Sequence, residues 1–336
     1  MKELLSLIPL LQKASSNTVY PLTSKYIVST GEKTITYNGE ALIVLDYELP
    51  FVGGVNIYVL SNILKNLSED FLFDVDGNKL QFTDGNYHGS LIIDQFDLHD
   101  IQEVLERYKD VELIGLTEKV IDAIKCALKF TGSEDNKYVI LKNDLIFGTN
   151  GKKLFYNQNP IINTVDRILI NSKVASMLDT TCQIGTLNDN TVIKFDKGLM
   201  IQTNTSIYKF NMAGVLGFID SLTNKELNSI CDFKNIQDGV NKLFPMSIGE
   251  GAFNVEITVG DIGILITYVS IANGVAKYKI DKMCDYIGDT IISGNDLKSI
   301  QDKDYKLFID SGRGDLILKN DQNYNIALIN RRSHEE

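Results

Sequence analysis

The sequence predicts an α+β protein built from three copies of one domain, each an antiparallel sheet with two helices on one side. Three observations carry that reading. A short amphipathic helix followed by two strands and a tight polar turn recurs every ~110 to 120 residues. Each repeat opens on a longer helix with apolar residues at helical spacing. Pairs of strand-like runs are separated by a few turn-forming residues. The spacing divides the 336 residues into domains at 1–110, 111–218 and 219–336, each of ordinary domain size.

Along the chain, Leu4, Ile8 and Leu11 form the first long stripe, with Pro9 kinking or delaying that helix. Strand-like runs at 33–37 and 41–45 flank Asn38-Gly39-Glu40, a strong hairpin signal. The short helix at 61–67 then leads to strands on either side of Asp76-Gly77-Asn78-Lys79. In the second repeat Val120, Ile121, Ile124, Ala127 and Leu128 share a helix face, residues 172–178 form the short helix, and Asp196-Lys197-Gly198 is the turn. In the third, Phe233, Ile236, Val240, Leu243 and Phe244 make the long stripe, and Gly260-Asp261 joins strands at 255–259 and 264–268. Residues 295–300 form its short helix, and its last turn runs from Asp310 to Gly314.

A hydrophobic fraction of 44% with 23% charged residues fits a chain that buries a sizeable core, and no apolar run reaches the ~18 residues of a membrane span. The start reads as a helix and not as a signal peptide, because one lysine beside a glutamate is a poor basic region; a cytoplasmic protein without membrane partners is expected. Cys126, Cys182, Cys231 and Cys284 lie far apart with no zinc or redox spacing, so they read as reduced packing residues. His88, His99 and His334 have no catalytic neighbourhood, and no paired acidic motif suits a hydrolase. Gly249-Glu250-Gly251 lacks the third glycine of a dinucleotide loop, and Asp74-Val75-Asp76-Gly77 lacks the spacing of a calcium loop. The Arg313-Gly314-Asp315 tripeptide sits in a repeat turn. No enzyme, metal or cofactor is expected.

The net charge of -11 argues against a protein that coats nucleic acid with a basic exterior. It leaves open lysines concentrated on one inner surface. Away from the apolar stripes, the helices carry Lys2 and Lys13, Lys65, Lys125 and Lys129, Lys173, Lys234 and Lys242, and Lys298. Two readings are open: lysines kept for solubility, beside Glu118, Asp122 and Asp238 on the same helices, or a phosphate track holding DNA without reading its sequence.

Residues 127–130 close a helix, residues 137–141 follow as a strand, and Gly148-Thr149-Asn150-Gly151-Lys152-Lys153-Leu154 comes next. This stretch resembles the sliding clamps of DNA replication, the bacterial type with three domains per subunit, whose corresponding segment is Thr-Asp-Gly-His-Arg-Leu. Asp94-Gln95-Phe96-Asp97 and Gly217-Phe218-Ile219-Asp220 stand where such clamps have an extended Phe-Pro linker. The resemblance implies the DNA clamp fold, with sheets outside and helices inside. It implies a head-to-tail homodimeric ring around duplex DNA, a processivity factor that makes or breaks no bond. It also implies a peptide pocket between the second and third domains for DNA polymerase and clamp loader. Matching positions are Thr149, Gly151, Lys152, Lys153 and Leu154, with Ile140, Phe218 and Ile219 as looser candidates. Lys152-Lys153 replaces the family's His-Arg, Ile326-Ala327-Leu328-Ile329 with a charged tail replaces its Met-Pro-Met-Arg-Leu ending, and the strand expected before the first helix is absent. These departures imply a divergent member, bacterial or phage-encoded. The alternative is a non-catalytic, repeat-built structural protein such as a virion component.

Overall fold

Short strands separated by tight turns cannot bury a face alone, so their edges find partners further along the chain. The structure, a computed structural model, describes the chain except residues 1, 18–21, 69, 98, 134–135, 159–163, 176, 204–209, 226, 228, 302 and 332–336. In chain order the elements are α1 (Lys2–Leu11), β1 (Tyr26–Ser29), β2 (Thr34–Tyr37), β3 (Ala41–Leu45), β4 (Gly53–Asn56), α2 (Ile57–Asn66), β5 (Leu72–Asp76), β6 (Lys79–Asp84), β7 (Tyr87–Ile92) and α3 (His99–Arg107). There follow β8 (Ile114–Gly115), α4 (Glu118–Leu128), β9 (Tyr138–Asn143), β10 (Leu145–Thr149), β11 (Lys153–Gln158), β12 (Thr164–Asn171), α5 (Ser172–Ala175), β13 (Gln183–Leu187), β14 (Asn190–Phe195), β15 (Gly198–Gln202) and α6 (Met212–Thr223). The last are β16 (Cys231–Asp232), α7 (Phe233–Leu243), β17 (Asn254–Gly260), β18 (Gly263–Ser270), β19 (Gly274–Ile280), β20 (Gly288–Ser293), α8 (Gly294–Ser299), β21 (Lys306–Ile309), β22 (Leu316–Lys319) and β23 (Tyr324–Leu328).

Two compact units gather these elements, residues 1–125, 138–143 and 162–208 in one, and 126–137, 144–161 and 209–336 in the other. In the first unit an eight-stranded antiparallel sheet runs β4-β1-β2-β3-β15-β14-β13-β8. The step from β3 to β15 joins the first predicted repeat to the second, with Ile43 opposite Met200 and Leu42 opposite Ile201. All five residues of β3 are buried, because both faces of this sheet are covered. Leu42 and Val44 face a cluster containing Val28, Ile35, Val192 and Ile201, capped by Tyr108 and by Val104 and Leu105 of α3. On α1, Leu4, Ile8 and Leu11 are buried, and the Thr36 hydroxyl donates to the Leu11 carbonyl at 3.0 Å. A separate sheet, β5-β6-β7, follows α2.

The second unit repeats the device. Strands β10-β11-β23-β22-β21-β16 lie side by side, and β11 joins β23 with Phe155 opposite Ile326. A four-stranded sheet, β19-β18-β17-β20, stands beside it in sequence. Helix α7 packs on β18 and β19 so closely that a Cβ on Gly239 would lie 2.5 Å from the Tyr278 ring.

The α+β reading and the antiparallel sheets are as expected, and three details differ. Residues 217–220, expected as an extended linker, lie within α6, and the stretch after residue 97 forms α3. Both helices have an apolar side that the neighbouring residues use: α3 through Val104 and Leu105, α6 through the buried Ile219 and Leu222. Among the described residues, the short helix expected at 172–178 is helical over Ser172–Ala175, and Ser176 lies outside the described residues.

At the β3–β15 join the chains approach closely. A Cβ on Gly198 would sit 2.3 Å from the Val44 carbonyl oxygen, a contact that only a backbone shift relieves. Gly198→Val is expected to lower stability by about 1–3 kcal/mol, read as a lower urea midpoint at unchanged slope; an unchanged midpoint would remove this join from the list of tight contacts.

Candidate functional site

The turn between β10 and β11 is fixed by its own side chains. Gly151 sits at φ +84°, first of two loop residues, a conformation that glycine adopts without penalty. Its N–H donates to the Thr149 hydroxyl at 3.0 Å, and that hydroxyl donates to the Lys153 carbonyl at 2.9 Å. The Asn150 side-chain oxygen accepts the N–H groups of Lys152 and Lys153, each at 3.0 Å. The turn therefore holds its shape independently of what it meets.

A groove of about 780 Å³ opens beside this turn in the second unit. Asn150, Gly151 and Lys152 form one bank, and Leu328, Ile329 and Arg331 another. The floor follows from strand alternation: Val255, Ile257, Ile264, Ile266 and Tyr268 point to the core, so Asn254, Glu256, Thr267 and Val269 face the groove. Val269 is 63% exposed, an apolar surface without a covering. The bank beyond β23 is tied down by backbone and side chain: the Ile329 N–H donates to the Lys152 carbonyl at 3.1 Å, and the buried Asn330 side chain accepts from the Ile291 N–H at 3.2 Å and donates to the Arg313 carbonyl at 3.1 Å. Asp315 accepts the Asn330 N–H at 2.9 Å.

Of the eight expected pocket residues, Gly151 and Lys152 line the groove. Thr149 and Leu154 are buried behind the turn. Lys153 turns away: its ammonium pairs with Asp296 at 3.1 Å and stands 5.4 Å from the centre of the Phe130 ring. Ile140 is buried on β9 in the first unit. Ile219 is buried on α6, and Phe218 on the same helix carries the Arg313 guanidinium 5.6 Å above its ring. Sequence reasoning missed Val269, Glu256 and Arg331, although the period-two pattern of β18 marks Val269 as outward-facing.

Among the lysines, Lys65, Lys125, Lys129, Lys234 and Lys242 are exposed, and Lys13 and Lys298 half-buried. The side chains of Lys2 and Lys173 lie outside the described residues. Several have local partners: Lys129 donates to the Gln301 side chain at 3.2 Å, Lys242 lies 4.7 Å from the centre of the Tyr278 ring, and Lys298 stacks on Phe244. An ammonium over a ring keeps its charge and its outward access. Among the described residues, no group of three or more His, Cys, Asp or Glu is placed to hold a metal ion, and no helix is long and apolar enough to cross a membrane.

No protein-family model matches the sequence, and no curated protein does. Solved structures match over nearly its whole length. A beta sliding clamp of Caulobacter crescentus superposes with a TM-score of 0.77 at 12% identity, covering 97% of this chain and 96% of that one. A putative DNA polymerase III beta subunit from Eubacterium rectale gives 0.76 at 11% identity, covering 98% and 97%. The chain has the fold of the bacterial sliding clamps. A Helicobacter pylori beta clamp bound to a DNA ligase peptide has the same clamp fold, with a TM-score of 0.73, 12% identity and coverage of 98% and 97%.

Near the groove, the loop from 310 to 315 is held by Asp310, which accepts from Lys225 and from the Gly312 N–H at 3.0 Å. Burial pushes the Asp310 carboxyl up, but Lys225, the Gly312 N–H and Arg313 together outweigh it and leave the pKa below its usual 3.8. A carboxylate with a depressed folded pKa contributes stability that is fully present above the unfolded value and lost as pH falls through the folded one. Asp310→Asn is therefore expected to unfold at lower urea than the parent at pH 7 and at nearly the same urea at pH 2. An equal gap at both pH values would show that charge is not what holds this loop.

Proposed function

We propose that the chain is a DNA polymerase processivity factor: a non-catalytic cytoplasmic clamp that closes as a homodimer around duplex DNA and tethers partners through the groove beside Gly151. Its domains are those of the sequence repeats, at 1–110, 111–218 and 219–336. The observation that carries this reading is a pair of unmatched sheet edges. Within the chain, the second strand of one repeat's hairpin (β2–β3, β10–β11) pairs with the last strand of the next repeat, β3 with β15 and β11 with β23. By the same rule β19 requires the counterpart of β15, which in the first repeat is β7. Both β7 and β19 end their sheets. Antiparallel pairing of β19 with β7 of a second copy, and of β7 with its β19, satisfies both edges and closes the assembly.

The edges are suited to it. Tyr87 and Ile92 on β7 are 46% and 63% exposed, and Val275 on β19 is 57% exposed. Applying the register of the two internal joins sets Tyr87–Leu91 against Gly274–Tyr278. In such a ring the exposed helix lysines supply weak, sequence-independent phosphate contacts that permit sliding, while the acidic balance of the chain stays outside. The groove takes a short peptide of polymerase or clamp loader, as the DNA ligase peptide on the H. pylori clamp suggests.

Sedimentation equilibrium is expected to give twice the chain mass. Tyr87→Asp and Val275→Asp, each replacing an exposed apolar side chain of the edge by a carboxylate, are expected to weaken dimerisation at least tenfold with the fold retained by circular dichroism. A stable monomer, or a dimer indifferent to both substitutions, would overturn the ring. A fluorescent peptide of the ligase type is expected to lose at least tenfold in affinity on Val269→Arg; unchanged binding would move the partner site elsewhere.

A further inference from the structure

The two internal joins are built alike, which makes one difference between them informative. In the second unit the space between the end of α4, β11 and the end of α8 is filled by rings: Phe130 and Phe155 lie 5.7 Å apart centre to centre, and Tyr305 meets Phe233 at 6.4 Å. Only about 20 Å³ is left there. The corresponding residues of the first unit follow from matching hydrogen bonds. Ser15 donates to the Gln12 carbonyl as Thr131 does to Leu128, each at 3.3 Å, which sets Ala14 where Phe130 stands. Ile43 opposite Met200 occupies the place of Phe155 opposite Ile326. Leu116 donates to the Cys182 carbonyl at 3.1 Å as Phe233 donates to Tyr305 at 2.8 Å, which sets Cys182 in the place of Tyr305.

Three rings are thus replaced by a methyl, a branched aliphatic chain and a thiol, and the first join holds an open hollow of about 400 Å³. Leu7, Leu10, Leu178, Cys182, Ile193 and Met200 form its walls. The polar groups at its rim are largely engaged: Asp179 accepts from the Thr181 hydroxyl at 2.6 Å and from the Cys182 thiol at 3.5 Å, and Lys197 pairs with Glu3. Burial pushes the Cys182 thiol up, so the wall there is neutral. Thiol and thioether sulfurs favour ring edges. A dry apolar cavity of ~150 Å³ already admits benzene, and a site for a small molecule spans a few hundred cubic ångströms of mostly apolar wall.

We infer that this hollow is a binding site for one small uncharged aromatic molecule, of one or two fused rings, which takes the space that Phe130, Phe155 and Tyr305 fill at the other join. The site is independent of the clamp reading, since it rests on the comparison of the two joins alone.

Indole titrated into the full chain carrying ¹³C-methyl methionine tests it. Saturable shifts are expected at Met177 and Met200, with Met246 and Met283 unmoved. Ala14→Phe and Cys182→Tyr, each restoring a ring of the second join, are expected to weaken indole at least tenfold and to raise Tm. Indole-3-acetate is expected to bind at least tenfold more weakly than indole. The proposal is overturned if no shift saturates, if either folded variant binds indole as the parent does, or if the charged analogue binds equally well. Should both variants fail to fold, Leu178→Phe serves as the filling substitution with the same expected loss, and retained affinity in it is likewise fatal.

Discussion

Strand pairing from one repeat to the next is the interaction on which the rest of the structure depends. Without β15, β3 would be an edge strand of five apolar residues, a template for unwanted pairing. With it, the sheet continues for eight strands and acquires two faces to cover. Helix α1 serves one, and α3 serves the other through Val104 and Leu105. The same constraint at β11 and β23 brings the β10–β11 turn beside the end of β23, and the groove is the space they leave with the outer face of β17 and β18.

Much of the local structure was legible in the sequence. Asn38-Gly39 and Asn150-Gly151 each mark a two-residue hairpin loop, because a glycine at positive φ is the cheapest way to turn a twisted ladder. The stripe of Leu4, Ile8 and Leu11 is buried as its periodicity predicts, and so are Phe233, Ile236, Val240 and Leu243 of the third-repeat stripe, while its last member, Phe244, is half-buried. The linker expected at 217–220 was misjudged for a physical reason, while residues 94–97 do lie outside the helices and named strands. A likeness at Phe218 points to single residues, whereas the helix there forms in spite of Gly214 and Gly217, through the buried Ile219 and Leu222 and a cap at Asn211, whose side chain accepts the Gly214 N–H at 3.0 Å. Pairings such as Ile43 with Met200 connect residues far apart in sequence, and periodicity carries no information about them.

The groove was legible only in part. Gly151 and Lys152 could be named because the turn chemistry is local. Lys153 could not be assigned correctly from its neighbour, since Lys152 lies in the two-residue loop whereas Lys153 opens β11 and its ammonium pairs with Asp296. Glu256 and Val269 come from strands more than a hundred residues downstream, and folding alone brings them to the turn. The contrast between Ala14 and Phe130 was visible as letters, yet its meaning depends on the hydrogen bonds that place the two residues in equivalent positions.

The way the sheets continue also sets the repeat pattern of the sequence against the hydrogen-bonded blocks of the fold. The sequence repeats begin at the long helices, but the hydrogen-bonded blocks are centred on the seams between repeats, with β3 and β15 locked in one and β11 and β23 in the other. A fragment cut at a repeat boundary would expose a raw ladder on the strand that lost its mate. The repeats read from the sequence are therefore out of phase with the hydrogen-bonded blocks that the strand pairings build.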